Sequence, residues 1–372
     1  IYGFVYESGF GLAKVSYINS DTGVIASLDS DVVGQNGDAE GDRLFDITRL
    51  EGSNFADELY GTDDRDNIEG AGGDDLIYGG AGYDTLFGGE GNDQIYGQSG
   101  NDFIVADIGA DYIDGGDGVD DVTYWNVDSA IKLNLSDSSF NDGGALGDVL
   151  VNVEDIWGSR FGDIIIGDIN DNEILGHDGD DYIDGGDGND YLDGERGNDT
   201  LVGGAGDDIF DIKKEANSTD IIEDFSTFFI GNRDRINLSV FDDIFDNFGD
   251  LIDNTTADGN DLRIDLGEGQ TLILKNTSIF SLRADNFIGN AGINNNPIAT
   301  IDSAVTDEET PVLIDVLAGA SDIDGDDLRV SGATIATVNG IVNFVDNNLL
   351  YTPNADFIGE DVIQYTLSLI HI

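Results

Sequence analysis

A nine-residue period with glycine first, aspartate sixth and an apolar residue eighth constrains this chain more than any other feature. It runs without a slip through eight units from Gly52 to Thr123 and returns for six more from Gly158 to Asp211. Of the fourteen units, only the one opening at Ala106 lacks the glycine and only Asn172 replaces the aspartate; position eight is always apolar, from Leu59 and Ile68 to Leu201 and Phe210. The first six residues favour turns, because Gly loses most entropy when fixed in a strand and Asp bonds readily to its own backbone; the last three suit a short strand. Each unit therefore reads as a turn plus a strand. Successive strands facing opposite ways build a flattened right-handed coil of two units, so the fold class expected is all-β: a parallel solenoid with the position-eight side chains as its core.

That geometry creates an electrostatic problem. Coils in a parallel solenoid stack about 4.8 Å apart, which brings residues two units apart, such as Asp75 and Asp93 or Asp84 and Asp102, nearly that close. Two unit charges roughly 5 Å apart cost on the order of 3 kcal/mol at an effective dielectric of about 20. Repeated along the arrays, this exceeds the roughly 5–15 kcal/mol by which a domain is stable. A cation must lie between the turns. The donors on offer are carboxylates and glycine-exposed carbonyls, all hard oxygens, and such sets suit Ca²⁺ better than Mg²⁺, which demands a tighter octahedron. Several Ca²⁺ ions are expected, and folding only when calcium is supplied.

The rest of the composition narrows the alternatives. With 77 acidic against 15 basic residues the net charge is −62, which repels nucleic acid and anionic membranes. There is no Cys, and His occurs only at His177 and His371, so zinc and copper have almost no ligands. No run approaches the roughly 18 apolar residues of a membrane span. A longer period of about 106 residues encloses the nonapeptides: Val15-Ser16-Tyr17 matches Val122-Thr123-Tyr124, and the segment ending at Gly61 matches the one ending at Gly167. All three prolines, Pro297, Pro311 and Pro353, fall near the C-terminus. The organisation expected is a β lead-in over 1–51, a first roll over 52–123, a second lead-in over 124–157 and a second roll over 158–211. A β-rich cap over 212–290, a linker over 291–296 and a β-sandwich over 297–372 complete it. Ile1 without a Met, and the terminal SLIHI, give the expectation of a fragment truncated at both ends.

The units GGAGYDTLF from Gly79, GGEGNDQIY from Gly88, GGDGVDDVT from Gly115, GGDGNDYLD from Gly185 and GGAGDDIFD from Gly203 resemble the calcium-binding repeats-in-toxin (RTX) family. The resemblance implies two tandem parallel β-rolls with Ca²⁺ between same-edge turns. Its ligands would be Asp75, Asp84, Asp93, Asp102, Asp111, Asp120, Asp181, Asp190, Asp199 and Asp208, with turn carbonyls at Gly80, Gly82, Gly89, Gly91, Gly186, Gly188, Gly204 and Gly206. The early units depart from the pattern at Phe55, Asp64, Phe161 and Asn172, and those coils are expected to pack without a full metal site. Residues 212–290 resemble the segment that follows the roll in serralysin-like secreted proteins. The last stretch is similar to a bacterial cadherin-like β-sandwich, in which Asp322, Asp324 and Asp326 could ligate a further Ca²⁺ or form only an acidic turn. The family implies export by type I secretion, an extracellular or cell-surface location, and a cell-surface or matrix ligand as partner.

Other chemistry is poorly supported. The GxGxxG-like strings come from the nonapeptide and open no helix; HExxH and GxSxG are missing, Ser99 lying in a repeat turn. With Asp every few residues, a carboxylate pair at glycosidase spacing carries no signal. Thr recurs too rarely, at Thr85, Thr123 and Thr200, for an ice-binding face. His177 reads as a solvated substitution, Trp125 and Trp157 as core or interface aromatics. The expectation is a non-enzymatic calcium-binding adhesin fragment; the alternative is the secretion and folding module of an enzyme whose catalytic domain lies upstream.

Overall fold

A computed structural model describes residues 13–227, 233–289, 304–318, 320, 328–335, 339–345, 348–359 and 361–369. The chain forms two compact units, one of residues 1–240 with 255–282 and 286–288, the other of 241–254 with 283–285 and 289–372.

The first unit is the solenoid. Strands two nonapeptides apart pair in parallel with position eight facing position eight: Ile68 with Leu86 and Leu86 with Ile104 on one face, Leu59 with Ile77 and Ile77 with Ile95 on the other. All fourteen position-eight side chains are buried, none more than 1% exposed. Because the pairing register equals the sequence period, every coil places the same residue type at the same height. The core is thus a column of stacked aliphatic side chains, each worth about 1.5–3 kcal/mol when removed from water.

The two arrays share one face and part on the other. A single 12-stranded sheet runs through both, since Val122 pairs with Ile156, which pairs with Ile174. The opposite face divides into a 6-stranded and a 9-stranded sheet. The second lead-in causes the division: its strand Val149–Val151 closes the first roll against Tyr112–Asp117, while its strand Ile131–Asn134 opens the second against Ile164–Ile166. Beyond the last nonapeptide, Arg235–Asn237 and Phe287–Ile288 extend the shared face. On the other face Thr219–Ile222 and Gln270–Leu274 continue the parallel order, then Asp261–Gly267 and Thr255–Asp258 turn antiparallel. A sheet edge left unpaired invites association, and this meander ends the stack.

The second unit contains the helix Phe248–Asp253 and two small antiparallel sheets. Val312–Ile314 and Gly340–Val345 flank Asn348–Pro353 in one, and Leu328–Ile335 pairs with Ile363–Leu369 in the other. Asp322, Asp324, Asp326, the 291–296 linker and His371 lie outside the described residues. Among those described, no helix is long and apolar enough to cross a membrane.

Two aromatics behave differently. Trp157 is half-buried with its ring edge-on to Phe103, centroids 5.4 Å apart. Trp125, expected in a core or interface, is 44% exposed and so not in the core, with the Arg160 guanidinium over its ring at 5.7 Å; it lies two residues beyond the last residue of a strand and so escapes the inward alternation. His177 is not fully solvated, because its Nδ1 lies 2.8 Å from a Glu195 carboxylate oxygen on the next coil.

Since the core column is packed at every level, Leu86→Ala should cost about 2–5 kcal/mol. Tyr83→Ala, at a side chain 64% exposed, should change stability by less than about 0.5 kcal/mol. Denaturant midpoints of the two calcium-saturated variants check this; equal shifts would contradict the core assignment.

Candidate metal centre

The sixth residue of each nonapeptide sits where the turn re-enters the strand, so its side chain points in between coils. The ten aspartates picked out above are no more than 3% exposed. The structure brings them into two ladders, one on each edge of the roll. On one edge the Asp57 N–H donates to Asp75 Oδ1 at 2.7 Å, Asp75 N–H to Asp93 at 2.8 Å and Asp93 N–H to Asp111 at 2.8 Å. On the other, Asp66, Asp84 and Asp102 donate in turn to Asp84, Asp102 and Asp120, each at 2.8 Å. The second array repeats the arrangement through Asp163, Asp181 and Asp199 and through Asn172, Asp190 and Asp208, at 2.7–3.0 Å.

Eight of these ten carboxylates are therefore half satisfied. Oδ1 takes a backbone proton from the coil before, but Oδ2 of Asp75, Asp84, Asp93, Asp102, Asp120, Asp181, Asp190 and Asp208 is sealed from solvent with no hydrogen-bond partner. Asp111 and Asp199 share the Oδ1 bond without a sealed, unpaired second oxygen. Leaving one buried acceptor unsatisfied costs about 1–3 kcal/mol, more when it is charged, and eight such atoms exceed the stability of a domain. Burial accordingly pushes the carboxyls up: Asp75 and Asp199 to about 8, Asp84, Asp111, Asp120, Asp181 and Asp190 to about 7, Asp93 and Asp208 to about 6, and Asp102 also upward. The backbone donor on Oδ1 opposes the shift in every case.

The glycines bring backbone oxygens up to these turns. Gly80, Gly82, Gly89, Gly91, Gly186, Gly188, Gly204 and Gly206 all take positive φ. At Gly91, with φ 159°, a Cβ would stand 1.8 Å from the Gly73 carbonyl oxygen of the preceding coil, so only a bare Cα admits that approach. Among the described residues no three His, Cys, Asp or Glu side chains form a group able to hold a metal; a cation here would draw on backbone oxygens as well as carboxylates. Sealed, unpaired carboxylate oxygens beside crowded carbonyls are a donor set that fits Ca²⁺.

Sequence reasoning missed the residues that end the ladders. Asp111 N–H donates to Asp148 Oδ1 at 2.9 Å and Asp120 N–H to Glu154 Oε2 at 3.0 Å. Asp199 and Asp208 donate to Asp220 and Asp234 at 3.3 and 3.4 Å. None of the four acceptors stands in nonapeptide register; Asp220 and Asp234 open the segments DIIEDFS and DRINLSVF, the only local signal. Sequence reasoning also missed Lys213, whose ammonium lies 2.7 Å from buried Asp193 and 2.6 Å from buried Asp211. There the chain supplies its own cation.

Comparison with known proteins follows the same division. The RTX calcium-binding nonapeptide repeat matches in four copies, at residues 51–86, 87–122, 157–192 and 184–211, and a bacterial Ig domain matches at 294–368. No curated protein matches. The chain is similar to the crystal structure of extracellular lipase LipA from Serratia marcescens at 13% identity and a TM-score of 0.17, over 74% of this chain and 42% of that one. The aligned part is thus less than half of that lipase.

The raised carboxyls set a pH dependence for the metal-free chain. Unfolded Asp titrates near 3.9, so between about pH 4 and 8 the folded roll binds more protons than the unfolded chain, and its stability falls as pH rises. In EDTA the far-UV circular dichroism signal of β structure should be larger at pH 5 than at pH 8. β structure that grows with pH in EDTA would show that the sealed oxygens carry no penalty.

Proposed function

From the premise that this chain carries RTX calcium-binding nonapeptide repeats and a bacterial Ig domain, we propose that it is the calcium-folded, non-enzymatic spacer of a large exported adhesin. The observation that carries the reading is the row of sealed, unpaired Asp Oδ2 atoms between consecutive turns. The residues that would hold the ions are the same-edge pairs Asp75/Asp93, Asp84/Asp102, Asp93/Asp111, Asp102/Asp120, Asp181/Asp199 and Asp190/Asp208, with the carbonyl oxygens of the glycine turns. Calcium supplies positive charge and accepts six to eight oxygens in flexible geometry. The chain supplies everything else: the Oδ1 bonds hold each carboxylate in one rotamer, the glycines admit the carbonyls, and the position-eight column excludes water behind them.

Export logic follows from the same atoms. Where calcium is scarce, ionised carboxylates with no partner keep the rolls open and the acidic chain soluble through mutual repulsion; outside the cell, sites of roughly 10⁻⁴–10⁻³ M affinity fill and the rolls close. A threadable chain suits type I secretion, and calcium-stiffened rolls in the same chain as an Ig-like domain suit a surface structure whose ligand lies on a cell or in its matrix. In this reading the chain performs no catalysis of its own.

A calcium titration of the full chain, followed by far-UV circular dichroism and small-angle scattering, tests the proposal. A cooperative gain of β structure and compactness near millimolar Ca²⁺, not reproduced by Mg²⁺, is expected. Asp93→Asn and Asp190→Asn should each weaken the calcium response by more than tenfold, since even losing an outer partner of a metal ligand costs about 10–100-fold. A chain equally compact in EDTA at neutral pH, or folded as well by Mg²⁺, would overturn it.

A further inference from the structure

The turns of the rolls adopt two backbone forms, and the form follows position two of the nonapeptide. In the glycine-rich turns this residue is left-handed even when it is not glycine: φ is 81° at Ala71, 76° at Gln98, 74° at His177 and 59° at Glu195. Five other turns place Ser53, Thr62, Asp107, Ser159 and Asp168 there, and none of these has positive φ. In four of them, those of Ser53, Thr62, Ser159 and Asp168, the peptide is turned so that its N–H donates to the sixth side chain of the same turn. The distances are 2.5 Å from Ser53 to Asp57, 2.7 Å from Thr62 to Asp66, 2.6 Å from Ser159 to Asp163 and 3.0 Å from Asp168 to Asn172.

Hydroxyls complete the arrangement. Ser53 Oγ donates to Asp57 at 2.9 Å, Thr62 Oγ1 to Asp66 at 2.8 Å and Ser159 Oγ to Asp163 at 2.7 Å. The fourth turn holds Asn172, an amide in place of a carboxylate, whose Nδ2 donates to the Glu154 carbonyl at 2.8 Å. Neither Asp57, Asp66 nor Asp163 has a sealed, unpaired oxygen, whereas eight of the ten aspartates in the remaining coils do. The four turns are the first two of each array. One whole coil at the head of each roll, in both copies of the duplication, is thus satisfied by its own chain. Each is also tied to its lead-in, through Val24 N–H to Asp57 at 2.6 Å and Ile131 N–H to Asp163 at 2.8 Å.

We propose that the head coil of each array is a calcium-independent template, in which position-two hydroxyl and amide groups take the place of the ion, and on which the calcium-dependent coils assemble toward the C-terminus. The direction is set by the ladders. A formed head coil presents the N–H groups of Asp57 and Asp66, or of Asp163 and Asn172, to the carboxylates of the coil that follows. The substitutions at position four mark these coils in the sequence as poor metal sites; the structure adds what replaces the metal and why they come first. The inference rests on the reading that the later coils close on calcium.

Amide hydrogen exchange of the full chain at neutral pH, read by mass spectrometry in EDTA and in excess Ca²⁺, tests it. In EDTA the strands Glu58–Tyr60 and Ile164–Ile166 should be protected, while Gln94–Gly100 and Thr200–Ala205 should become protected only with calcium. Ser159→Ala should speed exchange of Ile164–Ile166 in EDTA by roughly tenfold to a hundredfold, leave the first array unchanged and retain the calcium-loaded circular dichroism spectrum. Head coils that exchange as fast as the rest in EDTA, with all coils protected by calcium, would overturn the template and leave the calcium reading intact. Uniform protection in EDTA would overturn both. A Ser159→Ala chain with unchanged protection in EDTA would overturn the role given to the hydroxyl.

Discussion

The structure depends on the hydrogen bond from the backbone N–H of one sixth-position residue to the carboxylate of the next coil on the same edge. It answers a question every parallel solenoid must answer, namely where the amides of its turns find acceptors once they leave the sheet ladder. Here the acceptor is a charged side chain, and a charged acceptor gives a stronger and shorter bond than a carbonyl. The answer leaves a residue of the problem behind, because a carboxylate has two oxygens and the neighbouring coil offers one proton. Everything specific about this chain follows from how the second oxygen is treated. In eight of the ten later turns it is left sealed and unpaired; in the head coils Ser, Thr and backbone donors reach it.

The core column and the turns therefore oppose one another. Stacked Ile and Leu side chains favour the coil wherever the sequence repeats, while the sealed carboxylates penalise it wherever they are ionised. Neither dominates, since burial of one aliphatic side chain and desolvation of one unpaired acceptor are both of the order of about 2 kcal/mol. A fold poised in this way responds to whatever neutralises the turns, whether proton, divalent ion or tethered amine. Lys213 shows the last of these, an ammonium held between two buried carboxylates one coil apart. The roll is accordingly a stack of similar switches rather than one site with a support.

Much of this was legible in the sequence, and for a stated reason. A period that fixes turn and strand also fixes register, so the pairing of Ile68 with Leu86 or of Ile77 with Ile95 could be written down before any coordinates. The sixth-position aspartates were legible as a repulsive row, which pointed to a cation. Two things were not. The pairing of each carboxylate with an amide of the preceding coil depends on peptide orientation in the turn, and composition does not encode it. The shared face of the two rolls was hidden because the lead-in strand Asp155–Trp157 lies outside the nonapeptide register, yet pairs between Asp121–Thr123 and Glu173–Leu175. The core reading of Trp125 failed for a related reason: an aromatic in a β-rich segment suggests a core position, but two residues past a strand end the alternation no longer applies.

Termination shows the same limit from the other side. A repeat can propagate its own donor–acceptor pattern but cannot end it, because the final coil of each array still carries two amides aimed at a coil that does not repeat. The chain meets this with Asp148 and Glu154 after the first array and Asp220 and Asp234 after the second, carried on strands and loops of different lengths. Four acidic side chains drawn from unrelated local sequences thus occupy positions that the periodic aspartates would have filled. What these positions require is an acceptor at one point in space, not a motif, and that is why sequence periodicity reveals the body of the roll and conceals its ends. The ends nonetheless decide whether the stack is a closed object, since an unpaired terminal amide would cost what an unpaired carboxylate costs.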